Sequence, residues 1–155
     1  MTFVDDGDIV KALGFVTLYA AYVEEAIDEC LDIVVTKDIN VPKKLMRFPI
    51  SQKIEYISRR IAENELPQEL SRLPELLEYL EKLFEDRNEV IHGRIYGGTY
   101  GSVDILRSNR RGNPDREVAS LELYDLAECF MSTLQNLHHA SMYSLPRMMN
   151  GLGKI

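Results

Sequence analysis

Apolar side chains recur at steps of three and four residues in four separate stretches of the chain. That spacing aligns them on one face of an α-helix. The first stretch covers residues 5–36 and carries Ile9, Leu13, Val16, Ala20, Val23, Ile27, Cys30 and Val34. Asp5, Asp6 and Asp8 crowd its start, where carboxylates suit the helix dipole. Gly14 inside it is either a weak point or a position of close approach. Residues 37–49 interrupt the pattern: Pro42 and Pro49 punctuate them, and Lys37, Lys43, Lys44 and Arg47 make them basic. A second stripe, Ile50, Ile54, Ile57 and Ile61, predicts a helix that stops near Asn64, before Pro67. Arg59 and Arg60 near its end complement the dipole on the plainer reading and contact phosphate on the sharper one.

The third stripe starts around Ser71 or Pro74, a proline being tolerated in a first helical turn. It reads Leu73, Leu76, Leu80, Leu83, Arg87 and Val90. The fourth starts after Ser120, a candidate cap, and reads Leu123, Leu126, Phe130, Leu134, Leu137 and Ser141, ending before Pro146. Residues 151–155 read as a frayed tail. Between the third and fourth stripes, Gly93, Gly97, Gly98, Gly101 and Gly112 break the helical pattern. Arg94-Ile95-Tyr96 and a run from Ser102 to Leu106 there fit two short strands joined through the Gly-Gly pair. The fold expected is all-α: an up-and-down four-helix bundle, with a short β-hairpin or loop insertion over about residues 94–118 before the last helix. One domain over residues 1–155 suffices for a chain of this length.

Composition narrows the classes. The chain is 45% hydrophobic and 28% charged, ordinary for a globular protein. No apolar run is long enough to span a bilayer, and the first residues lack the basic and apolar regions of a secretory signal. A cytoplasmic protein with no membrane partner is expected. Cys30 and Cys129 are too few for a disulfide scaffold and lack metal-ligand spacing. Both sit in helical stripes, which suits buried thiols. The net charge of −7 argues against broad nucleic-acid binding, but not against a local basic cleft. Such a region exists: the span from Arg94 to Arg116 holds five arginines and two aspartates. Arg107, Arg110, Arg111 and Arg116 cluster in it. It reads equally as a solvated loop or as an RNA-gripping flap, with Arg94, Arg107, Arg110 and Arg111 as the RNA-binding residues.

The chemistry concentrates at Asp86-Arg87-Asn88-Glu89-Val90-Ile91-His92-Gly93, where the third stripe runs out. Arg87 is a cation set into an apolar stripe, a costly placement unless it is paired or used. Asn88 and His92 are four residues apart and share a helical face. Arg87 and His92 are five apart, which on a regular helix is about 140° of rotation and about 7.5 Å of rise. They converge only where the helix ends, bends or meets a second copy. His138 and His139, near the end of the last helix, are read as structural or surface residues. No histidine spacing suits a metal.

Arg87-Asn88-x-x-x-His92 followed by Gly93 resembles the R-x(4–6)-H signature of the HEPN superfamily. The resemblance implies a helical bundle, generally dimeric, with the motifs of two protomers facing each other across the interface. It implies Arg87, Asn88 and His92 as the catalytic set of a metal-independent endoribonuclease that needs no cofactor, of the toxin or abortive-infection type. A protein antitoxin is the partner such relatives often have. The residue types fit the reaction. A histidine near pKa 6.5 can serve as base for a 2′-hydroxyl or as acid for a leaving 5′-oxygen. Arginine matches phosphate oxygens, and Asn88 can orient His92 or hold an oxygen. One motif supplies one histidine for two proton transfers, so a homodimer would complete the site. Asp86 and Glu89 would either hold Arg87 or raise the pKa of His92. The alternative is a non-catalytic protein-binding module, antitoxin- or immunity-like, in which Arg87 and His92 are structural and Arg87 pairs with Asp86 or Glu24.

Overall fold

The structure is a computed structural model that describes residues 3–36, 38–97 and 103–151. Among these the chain is mostly helical, with one small antiparallel sheet. Four helices of thirteen residues or more carry the four stripes: α1 (Ile9–Val34), α2 (Ile50–Ala62), α3 (Leu73–His92) and α4 (Ser120–His139). Single 3₁₀ turns precede α2 and α3, at Leu45–Arg47 and Gln68–Leu70. No helix among the described residues is long and apolar enough to cross a membrane. The contacts gather into two compact units, Met1–Ala21 with Lys82–Met131, and Tyr22–Glu81 with Ser132–Ile155.

The first unit holds the sequence motif. Its buried side chains include Val16, Ala20, Leu83, Phe84, Val90, Leu123 and Phe130. Phe84 and Phe130 meet edge to face, with ring centroids 5.1 Å apart. Helix α1 starts later than its acidic run suggests. Asp8 is the cap: its Oδ1 accepts from the N–H groups of Val10 and Lys11, each at 3.0 Å. Asp5 and Asp6 lie outside the helix and fold the chain into it, accepting from the N–H groups of Gly7 and Asp8. Gly14 has nothing within 4 Å of an added Cβ, so close approach does not account for it.

The insertion is a three-stranded sheet in the order β1 (Arg94–Tyr96), β2 (Asp104–Arg107), β3 (Arg116–Val118). The sequence reading gave at most two strands. Ile95 pairs with Leu106, and Leu106 with Arg116, so these three share one face. The Gly97-Gly98 joint, Tyr100, Gly101 and the Ser102 start of the second run lie outside the described residues, apart from Gly97. Ser120 is not a cap: it is the first residue of α4, and its hydroxyl donates to Asp5 Oδ1 at 2.6 Å. A carboxylate is a stronger acceptor for that hydroxyl than a neutral group would be.

In the second unit the buried side chains include Ile27, Leu31, Ile54, Ile57, Ile61, Leu77 and Leu137. Arg60 does more than answer its own helix dipole. It donates to the carbonyl oxygens of Val34 at 3.0 Å and Thr36 at 3.4 Å, closing the end of α1. Lys53, 8% exposed, pairs with Asp28 at 2.6 Å. The helical backbone does not end before Pro146. It widens into a π turn over Ala140–Ser144 and continues as α5 (Leu145–Gly151). Proline lacks an N–H and crowds the carbonyl four residues back; a wider turn just before it relieves both. Of the tail expected after that, Leu152–Ile155 lie outside the described residues.

Candidate functional site

Helix α3 runs unbroken from Leu73 to His92 and closes with the Gly93 N–H donating to the Glu89 carbonyl at 3.0 Å. A Cβ on Gly93 would lie 2.7 Å from that carbonyl oxygen, 2.7 Å from Leu106 Cδ1 and 3.0 Å from the Arg107 carbonyl oxygen. Only glycine lets β2 pass so close to the helix end, and β1 starts on the next residue. His92 is therefore the last helical residue, and it is exposed.

Arg87 lies one turn earlier, half-buried, with its Nε sealed from solvent. Its Nη1 donates to Asn88 Oδ1 at 3.0 Å. Because the helix carries through both residues, Arg87 and His92 leave it about 140° apart and about 7.5 Å along the axis. Asn88 shares the His92 side and is half-buried. Glu89 is occupied elsewhere: its Oε1 accepts from Arg116 Nε at 3.2 Å.

The sheet sorts the arginines. Arg94 and Arg107 are directly opposite each other in the β1–β2 register, and both are exposed. The Arg107 guanidinium lies 5.3 Å from the centroid of the Tyr96 ring, and its Nε is 3.3 Å from Asp115. Arg110 and Arg111 are exposed in the turn between β2 and β3. Arg116 does not join this group. Its fork closes on Glu122, with Nη1 3.0 Å from Oε2 and Nη2 2.7 Å from Oε1, while Nε reaches Glu89. Those two carboxylates, Glu122 foremost, hold its pKa above the ordinary arginine value. Its strand position accounts for the separation: it shares the Leu106 face, and Arg94 and Arg107 the other. Asp86 is raised above the usual carboxylate range, first by desolvation and further by Glu89 and Glu85.

Two features absent from the sequence reading emerge here. Tyr96 is on the arginine face of the sheet, where a three-residue strand gave too little alternation to place it. Arg116 ties β3 to both α3 and α4.

The other candidates are plain. His138 Nδ1 is 3.4 Å from Glu29, and His139 packs its ring against Tyr143. Cys30 is buried, which pushes its thiol up to about 12, and Cys129 is half-buried. No group of three or more potential ligand side chains gathers among the described residues in a way that could hold a metal ion. A cleft of about 430 Å³ in the second unit, walled by Leu73, Tyr79, Asn136 and His139 among others, includes none of the expected site residues. Comparison with known proteins adds no relative to these observations: no family model, no curated protein and no solved structure matches the chain.

Proposed function

We propose that the chain is a HEPN-like, metal-independent endoribonuclease acting as a homodimer, in a helical bundle of the up-and-down kind. One observation carries the reading: His92 stands exposed at the final turn of α3, immediately before β1, whose exposed Arg94 lies opposite the exposed Arg107 of β2. A titratable imidazole beside a cationic face is the pairing phosphodiester cleavage needs. Four apolar helical stripes are hidden most simply against one another, which supports the bundle.

In the proposed reaction one His92 takes the proton of a ribose 2′-hydroxyl, and the oxygen attacks the adjacent phosphorus. The bond to the 5′-oxygen breaks, and a second His92, from the partner subunit, protonates the leaving oxygen. The products are a 2′,3′-cyclic phosphate and a 5′-hydroxyl. Arg87 neutralises the charge that builds on the phosphoryl oxygens, and Asn88 holds Arg87 by the bond seen between them. The unbroken α3 supports the dimer, since it carries Arg87 and His92 away on different sides of one helix. Arg94, Arg107, Arg110 and Arg111 bind the RNA backbone. A toxin or defence effector of the cytoplasm, held in check by a protein antitoxin, is the biological role the motif suggests.

His92→Ala should lower the rate of RNA cleavage about 10²-fold or more, the usual size of a general acid–base contribution. Arg87→Ala should be comparably damaging. Cleavage by both variants at the parent's rate would overturn the assignment.

A second reading has its own support. Arg87 is half-buried and its Nη1 is committed to Asn88, as a structural polar group would be, and the net charge is −7. On this reading the fold is a non-catalytic module that binds a protein. Expression separates the two: the nuclease is toxic and His92→Ala relieves it, whereas the module is harmless in both forms.

A further inference from the structure

Alternation along β1 places Arg94 and Tyr96 on one face of the sheet and Ile95 on the other. The register then sets Arg107 opposite Arg94 and Ile105 opposite Tyr96. Leu106, between them on β2, is fully buried on the reverse face. The outer face of the β1–β2 pair is thus two arginines and a tyrosine, with one aliphatic side chain. We propose that this face is a platform for an unpaired nucleotide strand: Tyr96 stacks on a base, and Arg94 and Arg107 hold the flanking phosphates. This rests on the nuclease reading for its choice of RNA, and it adds a residue, Tyr96, and a strandedness to that reading.

Two like charges directly opposite on neighbouring strands destabilise a sheet. Here the repulsion is only partly offset. Asp115 sits 3.3 Å from Arg107 at an exposed position, and Arg94 has no acidic partner among the described residues. A phosphate between the two guanidinium groups would remove the repulsion and meet both with charge-assisted hydrogen bonds.

Tyr96 supplies what a phosphate site alone lacks. It remains 45% exposed although Arg107 covers part of its ring. An exposed ring flanked by cations on a sheet surface offers a stacking partner that any base can use. A base inside a duplex is stacked already and cannot reach the ring, so a duplex would meet the arginines only. The rest of the chain sharpens the effect. The protein carries −7 overall, whereas Arg94, Arg107, Arg110 and Arg111 are exposed on β1, β2 and the turn that follows, against Asp115 and the Glu117 of β3 opposite Ile105, so nucleic acid is attracted here more than elsewhere. An acidic peptide would satisfy the arginines but would have no use for the exposed ring.

The test measures fluorescence anisotropy of a labelled 12-nucleotide unstructured RNA, and of the same RNA annealed to its complement, with the full chain carrying His92→Ala to prevent cleavage. The unpaired RNA should bind about ten-fold tighter than the duplex. Tyr96→Leu should weaken the unpaired RNA by about ten-fold or more, within the range set by losing one stacked base, and leave the duplex unchanged. Tyr96→Phe should bind like the parent. Arg94→Gln and Arg107→Gln should each weaken binding and lower the salt dependence by about one phosphate contact. Equal or tighter binding of the duplex, indifference to Tyr96→Leu in a variant with parental circular dichroism, or no binding at all would overturn the platform. A poly-glutamate peptide that competes with the RNA and is equally indifferent to Tyr96→Leu would assign the face to an acidic partner instead. The two proposals fail separately. Cleavage by the wild-type chain that ignores Tyr96→Leu sinks the platform and leaves the nuclease; Tyr96-dependent binding without cleavage does the reverse.

Discussion

A single absent methyl group governs the end of α3. An added Cβ would meet the Glu89 carbonyl and the Leu106 side chain at 2.7 Å, closer than Cβ atoms come, and the Arg107 carbonyl at 3.0 Å, a tight contact. Two of the three neighbours are backbone, so they can yield only by moving the helix end or the strand. Gly93→Ala should cost about 1–3 kcal/mol, the usual size of an overpacking penalty, read from the midpoint of urea denaturation. An unchanged midpoint would mean that β2 does not approach the helix as described. Gly93 stood out in the sequence as the residue closing the motif, but its reason did not, because the strand that crowds it arrives from thirteen residues further on. The same limit applied to Arg87. An arginine in an apolar stripe was legible as an anomaly; that its Nη1 bonds to the very next side chain was not. The acidic flank separated in a way that only geometry decides: Glu89 turns to Arg116, a residue twenty-seven positions away.

At the scale of elements, the start of the chain is tied to α4 by polar and aromatic contacts together. The Phe3 ring lies 4.6 Å from that of Phe15 and 6.0 Å from that of Tyr124, and the Phe3 N–H donates to Glu128. Asp6 accepts from the Tyr124 hydroxyl at 2.8 Å and pairs with Lys11 at 2.5 Å. These partners, Lys11 first, hold the Asp6 carboxyl well below its usual value of 3.8. A carboxylate depressed in the folded state stabilises fully above its unfolded pKa, and that stability is lost as pH falls through the folded one. The tether should therefore hold at neutral pH and loosen below about pH 4. Protection of the Phe3 and Asp8 amides, measured against their intrinsic exchange rates, should fall there in the parent, and Asp6→Asn should show low protection at every pH. Protection in Asp6→Asn equal to the parent's at pH 7 would show that Asp6 does not hold the segment. The helices themselves were legible, since steps of three and four over many residues leave little choice of period. Their ends were not. Asp8 was chosen as the cap over Asp5 and Asp6 by backbone geometry, and Pro146 was absorbed by a π turn that no local composition announces. The third strand escaped notice because Arg116-Glu117-Val118 is too short to show a period, and its arginine turns inward to two carboxylates.

For the whole molecule, the decisive question for the proposed nuclease is how many copies would make one site. Helix α3 delivers one imidazole and, from a different side of the same helix, one guanidinium. Transesterification calls for a base and an acid, so a protomer acting alone would lack one of the two groups. In the proposed homodimer a two-fold axis would supply it without any new residue, because each partner would offer the same patch to the other. This makes a quantitative prediction. Wild-type chains mixed in equal amounts with His92→Ala chains and left to exchange subunits form wild-type pairs as about a quarter of all dimers. If cleavage needs both histidines, the mixture should run at about a quarter of the rate of the same total amount of wild-type protein; protomers that act independently would give about half. The dimer itself should appear in sedimentation at the concentrations assayed. A protein that sediments as a monomer and still cleaves, or a mixture at half the wild-type rate, would show that one α3 terminus suffices, and the second proton transfer would then have to come from solvent or from a group on the same chain.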